Sequence, residues 1–319
     1  MEEDDYFAMK VQELQKDLSY SNLCRTIWNV FSPLTFCKHV FSIHDYEDFK
    51  LQGGLVPAGT VINAIDGRAI LSGDWVYVEM DQLDYFIKDI FPSIDTRFVL
   101  ITGGFFLRVW NHPTTWDSEE VPRGLKDCVD SSKVIAWGCK NAIDNHHPKC
   151  IPIPIGVFPL ALPAYASALV ESVNHQFQTR IPQMAELFMG ANSMLRQSLV
   201  STMSKRQSPE EYFRTVIKYQ ALCSPTGVRA DCFRHLEAIG LGTLPIANTY
   251  LEISQQPVAE VLDPLYGSSL AYCDTIENAR NLKTFLQPDR NLLWTDTWIE
   301  RISQRVKQLS AAESDTHPK

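Results

Sequence analysis

The residues best placed to do chemistry lie in a short turn and in the helix that follows it, over residues 224–240. Gly227 ends the turn and Arg229 follows, so backbone N–H groups and one fixed positive charge are available to a diphosphate. Asp231 is placed to cap a helix that begins at Cys232, because its carboxylate can accept the unpaired N–H groups of a first helical turn. This half of the segment therefore predicts a phosphate-binding helix N-terminus.

The second half of the segment offers an acceptor for hydroxyl groups. Glu237 lies further along the helix, and its carboxylate can accept hydrogen bonds from both hydroxyls of a ribose. Arg234, three residues earlier, shares a helix face with Glu237 and is placed to orient that side chain or Asp231. Gly242 lies where a left-handed residue is expected to end the helix, and a buried strand begins at Leu244. The alternative is an ordinary β-α-β unit with an internal Arg–Glu pair.

The spacing of these residues resembles the donor-site segment of exostosin-like glycosyltransferases, glycosyltransferase family 47 and its relatives. The shared pattern is Gly227-x3-Asp231-x2-Arg234-x2-Glu237-Ala238-x3-Gly242-x2-Pro245-Ile246. The resemblance implies an α/β fold of GT-B architecture, with two Rossmann-like domains facing each other across a cleft. It implies that the R-x-x-E-A helix grips the nucleotide of a nucleotide-sugar donor, which we take to be a UDP-sugar. It also implies that no metal or other cofactor is bound, so that helix dipole, N–H groups and cationic side chains neutralise the leaving diphosphate.

A second pattern, W-x-x-x-N followed by H-P-K-x-x-x-I-P-I-G, is also similar to exostosin-like proteins. It starts at Trp137 and ends at Gly156. By resemblance it closes the acceptor-side domain at the inter-domain cleft, where Asn141, His147 and Lys149 face sugar hydroxyls or phosphate. A glycine at the carboxyl end of a strand is also where an open α/β sheet exposes its ligand crevice. The alternative is that His147 and Lys149 belong to an ordinary surface loop.

Two further roles fall on residues outside these patterns. Arg196 lies in a helix after a strand predicted at residues 186–190, and its guanidinium could bind phosphate oxygens through two hydrogen bonds. A solvated surface arginine is the alternative. An inverting displacement needs a base that faces the acceptor, and we assign this role to His112, in the loop after the strand that ends at Gly103. Other residues that suit the role are Asp66, Asp74 and Asp117.

The strand over residues 99–104 leaves two other functions open. Relatives often carry an acidic residue just after this strand, whereas this chain has Phe105-Phe106. A degenerate exostosin-like protein, which binds sugar nucleotide or glycan without turnover, is therefore one alternative. The run Val-Leu-Ile-Thr-Gly-Gly also resembles the start of a short-chain dehydrogenase nucleotide loop, so an NAD-dependent oxidoreductase is the competing class. The later glycines that such a loop requires are absent here.

Bulk properties suit a globular enzyme with two domains. The chain has 319 residues, 45% of them hydrophobic and 21% charged, which favours two cores of about 150 residues each. Net charge is −9 and no basic stripe is present, so nucleic acid is not an expected partner. The expected partners are a nucleotide-sugar donor and a glycan or glycosylated acceptor.

Targeting signals and cysteine usage predict the compartment. No segment approaches the roughly 20 apolar residues that span a bilayer, and the acidic N-terminus lacks the apolar core of a secretory signal. The eight cysteines form no C-x-x-C pair, which favours reduced thiols and a cytoplasmic location. A Golgi lumen location follows if an N-terminal anchor, usual among exostosin relatives, has been lost. Cys139, His146, His147 and Cys150 match no common zinc spacing, so no metal site is predicted.

Apolar runs and breakers predict alternating strands and helices. The domain ranges predicted are 1–170, an acceptor-side domain, and 171–319, a donor-binding domain whose final helix packs back on the first. Strands are predicted at 75–80, 97–104, 133–137, 150–156, 186–190, 219–223, 243–246 and 269–272. Helices are predicted within 1–30 and at 84–91, 165–173 and 296–309. Strands interleaved with helices indicate an α/β fold with mostly parallel sheets.

Overall fold

The computed structural model describes residues 3–42, 59–103, 121–140, 146–187, 207–227, 230–251 and 256–316. The strands of these ranges are β1 His39–Phe41, β2 Val61–Ile62, β3 Trp75–Glu79, β4 Phe98–Gly103, β5 Val134–Lys140, β6 Cys150–Ile153, β7 Ile181–Ala185, β8 Tyr219–Cys223, β9 Leu244–Asn248 and β10 Ala271–Cys273. The helices are α1 Glu3–Leu14, α2 Tyr20–Thr26, α3 Leu83–Tyr85, α4 Leu125–Asp130, α5 Leu162–Ser172, α6 Pro209–Val216, α7 Phe233–Gly240, α8 Val258–Tyr266, α9 Ile276–Arg280 and α10 Thr295–Thr316. Helix α3 continues as a π-helical turn over Phe86–Ile90.

The strands form two parallel sheets. The six-stranded sheet has the order β2-β1-β3-β4-β5-β6, and every neighbouring pair is parallel. The four-stranded sheet has the order β10-β9-β8-β7 and is also parallel throughout. Parallel strands are covered on both faces, which explains why every residue of β4 is buried and why its residues 98–101 are all apolar. The prediction of an α/β fold with mostly parallel sheets is confirmed.

Contacts divide the chain into two units. We call residues 30–153 with 295–319 the six-strand unit, and residues 1–29 with 154–294 the four-strand unit. The predicted domain ranges, 1–170 and 171–319, assign residues 1–29, 154–170 and 295–319 differently.

The core of the six-strand unit lies between its sheet and the helical turns at residues 83–94. Phe86 contacts Phe41 and Phe98 edge to face, with ring centroids 5.0 and 6.2 Å apart. All three rings are fully buried. The order of the strands reverses between β1 and β3, because β2 lies on one side of β1 and β3 to β6 lie on the other. Ligands of open α/β sheets bind beside such a reversal, at the carboxyl ends of the strands.

In the four-strand unit, α7 connects β8 to β9. Its C-terminus is followed by a left-handed glycine and is bound by two arginine side chains. Gly242 follows it with φ +76°, so the predicted left-handed residue is confirmed. The Arg180 guanidinium donates to the carbonyl oxygens of Leu241 and Gly242, each at 2.9 Å. Arg290 donates to that of Gly240 at 3.0 Å. Two cations therefore bind the negative end of the α7 dipole.

The prediction that the strand over residues 186–190 begins at Glu186 is wrong. The structure has β7 at Ile181–Ala185, and Glu186 lies beyond the strand end, paired with Arg280 at 2.5 Å. Residues 188–190 lie outside the described residues. β7 is an edge strand whose first three residues are exposed, so it lacks the apolar run that marks the interior strands.

Candidate functional site

The candidate site lies at the carboxyl ends of β8 and β9 in the four-strand unit, the edge at which open α/β sheets bind ligands. The turn after β8 is fastened to the end of β9 by Thr226. Its N–H and Oγ1 donate to Asn248 Oδ1 at 2.8 and 3.0 Å. Gly227 is the last described residue of this turn, and Arg229 lies outside the described residues.

The prediction that Asp231 caps the following helix is wrong. Helix α7 begins at Phe233, and Cys232 is its N-cap, with the thiol accepting from the backbone N–H of the third helical residue. The buried Asp231 carboxylate accepts instead from the N–H of Ile155 at 2.7 Å and from the Tyr266 hydroxyl at 2.8 Å. These partners lie 76 and 35 residues away along the chain, so no local spacing could have indicated them.

His235 completes a buried ion pair with Asp231. Its Nε2 lies 3.1 Å from the carbonyl oxygen of Ser224, which only accepts, so Nε2 carries a proton. Burial alone would lower the pKa of His235, but the neighbouring Cys232 and the Asp231 carboxylate raise that pKa to about 10. Nδ1 lies 3.3 Å from Asp231 Oδ1, and the backbone N–H of Cys232 points to the same nitrogen at 3.4 Å. The sequence did not indicate a role for this histidine, because one His in an apolar helix carries no functional signal.

Glu237 is the most unusual group of the site. Its side chain is buried, with 1% of the residue exposed, and Oε1 accepts from the N–H of Phe158 at 3.1 Å. Oε2 is buried and has no hydrogen-bond partner among the described residues. Burial raises the pKa of Glu237 to about 7, although the Phe158 N–H and the Arg234 charge oppose the rise. A buried acceptor without a donor is costly, so a ligand hydroxyl bound there would relieve the cost.

Contacts from Phe158 and Tyr165 fix the part of helix α7 that carries this carboxylate. The Phe158 ring packs against Phe233 with centroids 5.0 Å apart, which keeps the Phe158 N–H in place. The buried Tyr165 hydroxyl donates to the backbone carbonyl of Glu237 at 3.2 Å. Arg234 is 8% exposed and lies close enough to lower the pKa of Glu237. The predicted Arg–Glu proximity is therefore present, inside a closely packed helix.

His147 and Lys149 lie in the six-strand unit, where both hold the C-terminus of α4. Lys149 Nζ donates to the carbonyl oxygens of Val129, Asp130 and Ser131 at 3.0, 3.3 and 2.7 Å. His147 Nε2 lies 2.9 Å from Asp130 Oδ1. A cation at the last carbonyls of a helix is a stabilising arrangement in its own right. The sugar-binding role of these two residues stays a prediction.

Gly156, the last residue of the I-P-I-G pattern, allows a close backbone approach. Its φ is +92°, and a Cβ there would lie 2.5 Å from Asn29 Cα and 2.7 Å from the Trp28 carbonyl oxygen. The Trp28 indole N–H donates to the carbonyl of Pro154 at 2.8 Å and holds the same approach. The close backbone approach therefore requires a glycine at this position, and its role beside a ligand crevice stays a prediction.

Several predicted residues lie outside the described residues: Arg196, Arg229, Asn141, the predicted base His112, its alternative Asp117, and Phe105-Phe106. The other two carboxylates considered as bases have structural partners. Asp66 caps the short helical turn at Gly67–Ala69 and pairs with Arg68 at 2.9 Å. Asp74 precedes β3 at its amino end and accepts from His39 and from the N–H of Leu71, each at 2.9 Å. Asp74 therefore lies at the edge of the sheet opposite to the one that binds ligands.

No protein-family model matches this chain, and no curated protein is significantly similar to it.

Within the part of the chain that the structure describes, no cluster of three or more His, Cys, Asp or Glu side chains is arranged to hold a metal ion. No described helix combines the length and the apolar character needed to cross a bilayer.

Proposed function

We propose that this chain is a glycosyltransferase of the GT-B class, which transfers a sugar from a UDP-sugar to a hydroxyl of a glycan or glycosylated acceptor. The observation that carries the proposal is the Glu237 carboxylate of helix α7, which is buried and has one oxygen without a hydrogen-bond donor among the described residues. The resemblance of the surrounding sequence to exostosin-like donor sites supports it.

In the proposed complex Glu237 holds the ribose. Its Oε1 is already oriented by the Phe158 N–H, and Oε2 accepts from a ribose hydroxyl. Hydrogen bonds to an ionised carboxylate are about twice as strong as neutral ones, so a small number of contacts gives specificity. Because the pKa of Glu237 is about 7, part of the binding free energy is used to release its proton near neutral pH.

The turn at residues 224–227 and the start of α7 are the proposed diphosphate site. Asp231 would repel a diphosphate, but its charge is balanced by the protonated His235 and by two hydrogen-bond donors. The positive end of the α7 dipole then acts on the turn without opposition from this carboxylate. Arg229 and Arg196 are the proposed sources of further positive charge, and His112 remains the proposed acceptor-side base.

The test is nucleotide binding by the wild type and by Glu237→Ala, with Glu277→Gln as a matched control. Glu277 belongs to the same unit, and its side chain is 72% exposed. UDP at a hundred times its dissociation constant should stabilise the wild type by about 2.7 kcal/mol in a thermal-shift titration. We expect Glu237→Ala to lose this effect and Glu277→Gln to keep it.

Other outcomes would redirect the proposal. A response to NAD in place of UDP would favour the oxidoreductase. UDP binding without release of UDP from any UDP-sugar, in the presence of a panel of glycan acceptors, would favour the degenerate sugar-nucleotide-binding protein. A wild type that responds to no nucleotide would show that the motif specifies only the fold of this segment.

A further inference from the structure

Arg290 joins the ends of two helices to the face of a third, all within the four-strand unit. Its Nε donates to the carbonyl oxygen of Gly240, the last residue of α7, at 3.0 Å. Its Nη2 donates to the hydroxyl of Ser172, the last residue of α5. The face of the guanidinium lies on the ring of Phe7 in α1, with the central carbon 3.7 Å from the ring centroid. One side chain therefore fixes the ends of α5 and α7 relative to α1.

The charge of Arg290 is kept in an unfavourable place. Burial, and after it the nearby charge of Arg180, lower the pKa of Arg290 to about 9. The two hydrogen bonds of the guanidinium to helix ends go to neutral oxygens, which stabilise a buried cation less than a carboxylate would. This cost favours a role for Arg290 in holding one arrangement of the three helices.

Helix α1 keeps Arg290 in its position. Phe7 is 3% exposed and also packs on Trp294, with ring centroids 5.3 Å apart. Gln287 Nε2 donates to Asp4 Oδ1 at 3.3 Å, so a second contact holds the same segment against α1. A cation over an aromatic face is bound more strongly when the pair is shielded from water. The Phe7 ring therefore fixes the plane in which the guanidinium reaches α7.

The last turn of α7 transmits this restraint to Glu237. Gly240 lies three residues after Glu237, and the N–H of Leu241 donates to the Glu237 carbonyl oxygen at 3.2 Å. A Cβ at Gly240 would lie 2.3 Å from the Tyr165 hydroxyl oxygen and 2.8 Å from Leu293 Cδ1, so the turn is packed closely against both. The Tyr165 hydroxyl also donates to the Glu237 carbonyl oxygen. A shift of this turn would therefore move the backbone that carries the carboxylate.

The Glu237 carboxylate tolerates little displacement. Its Oε1 accepts from the Phe158 N–H at 3.1 Å, and its Oε2 is buried without a hydrogen-bond partner among the described residues. Ligand-binding groups must be held to well within about 1 Å of their productive position. A small movement of α7 would expose the carboxylate to water and misdirect Oε2.

We propose that Arg290 and Phe7 are positioning residues of the Glu237 site, which hold α7 so that the carboxylate stays buried and directed at its ligand. This inference rests on the proposed function for the identity of the ligand, but not for the position of Glu237. It extends the candidate site to α1, at the opposite end of the chain from the motif that carries Glu237.

The experiment is a titration of Glu237 by NMR of the full chain, labelled with 13C at the side-chain carboxyls of glutamate. Loss of one signal in Glu237→Gln assigns the resonance. We expect a midpoint of about 7 in the wild type. In Phe7→Leu and Arg290→Lys it should fall by about one pH unit or more toward the ordinary 4.5, because the carboxylate gains access to water. Arg290→Lys keeps the charge but loses the planar group that makes both hydrogen bonds.

The two variants leave the electrostatic surroundings of the carboxylate unchanged. The other charged or titratable groups that act on it are Arg234, Cys232 and His235. None of them is altered by a substitution at position 7 or 290. A change in the midpoint therefore reports the burial of Glu237.

Phe285→Leu is the matched control, because it makes the same change as Phe7→Leu at another buried ring of the same unit. Phe285 packs in the cluster formed by Ala221, Leu244 and Ile246 of β8 and β9. The control should lose stability as Phe7→Leu does and keep the wild-type midpoint. Unchanged midpoints in both Phe7→Leu and Arg290→Lys would overturn the inference. An equal shift in Phe285→Leu, or a wild-type midpoint near 4.5, would also overturn it.

UDP titration of the same proteins separates this inference from the proposed function. We expect Phe7→Leu and Arg290→Lys to bind UDP about tenfold more weakly than the wild type, and Phe285→Leu to bind it equally well. If the midpoint shifts as expected but the wild type binds no UDP, the positioning role is supported and the nucleotide site alone is refuted.

UDP binding that is equally tight in the two variants, despite their shifted midpoints, would likewise support the positioning of Glu237. It would remove this carboxylate from the nucleotide site.

Discussion

Replacing Glu237 by Gln should change the pH dependence of folding stability in a defined direction. The ordinary pKa of this carboxyl is 4.5, and burial raises it to about 7 in the folded chain. Below about pH 4.5 the group is protonated in both states and costs nothing. Between about pH 4.5 and about pH 7 the unfolded chain loses this proton first, so stability falls as pH rises. Above about pH 7 the full cost of burying the charge is present.

The size of the effect follows from the rise in pKa. A change from 4.5 to about 7 corresponds to about 3 kcal/mol between the two ends of this pH range. Glu237→Gln removes the titration but keeps a carbonyl oxygen that can accept from the Phe158 N–H at the position of Oε1. The stability of the variant relative to the wild type should therefore rise by about 3 kcal/mol from acid to alkaline pH.

Urea unfolding of both proteins at several pH values, from about pH 5 to about pH 8, measures this difference. Glu277→Gln, at an exposed position of the same unit, serves as the control and should follow the wild type at every pH. If the difference between Glu237→Gln and the wild type does not change with pH, Glu237 is not a buried carboxylate with a raised pKa. The reasoning that makes it a candidate ligand group would then be refuted.

Two further predictions concern the packing around the candidate site. Gly156→Ala should destabilise the chain several times more than Gly73→Ala in denaturant unfolding, since both glycines have positive φ but only Gly156 faces backbone within 3 Å. Gly73→Ala, with open space around it, should cost about 1 kcal/mol, and equal losses would contradict the close approach. Asp231→Asn should cost about 3 kcal/mol because it leaves the buried His235 charge without its counter-ion. The Asp231→Asn, His235→Asn double variant should recover part of that loss, and strictly additive losses would show that the two residues do not interact.

Local sequence pattern was enough to predict much of the fold. The runs that became β3, β4, β5, β8 and β9 are apolar over the length of one strand and are separated by breakers, so each could be recognised from its own residues. Gly242 was predicted as a left-handed residue because it lies between the end of a helix and the next strand, where a helix commonly ends in a left-handed glycine. β7 was misplaced because an exposed edge strand carries no such apolar run.

The candidate site was predicted in part. Residue types and spacing identified the helix that carries Arg234 and Glu237, and the structure places these two residues within electrostatic reach of each other. The partners of Asp231 and the protonated state of His235 were not accessible to that reasoning. The sequence predicts Asp231 as an N-cap because a capping side chain binds N–H groups within three residues of itself. In the structure the donors to Asp231 come from two distant segments of the chain.

The sequence alone therefore determined the α/β class, the parallel strands and the segment from β8 to β9, because these depend on periodicity and on turn residues close together in the chain. Only the tertiary structure decided what each polar side chain does. It buried Glu237 against the Phe158 N–H and brought the N–H of Ile155 and the Tyr266 hydroxyl to the Asp231 carboxylate. The physical reason is that hydrogen-bond partners, burial and pKa depend on strand register and on contacts between distant segments, which local pattern does not encode.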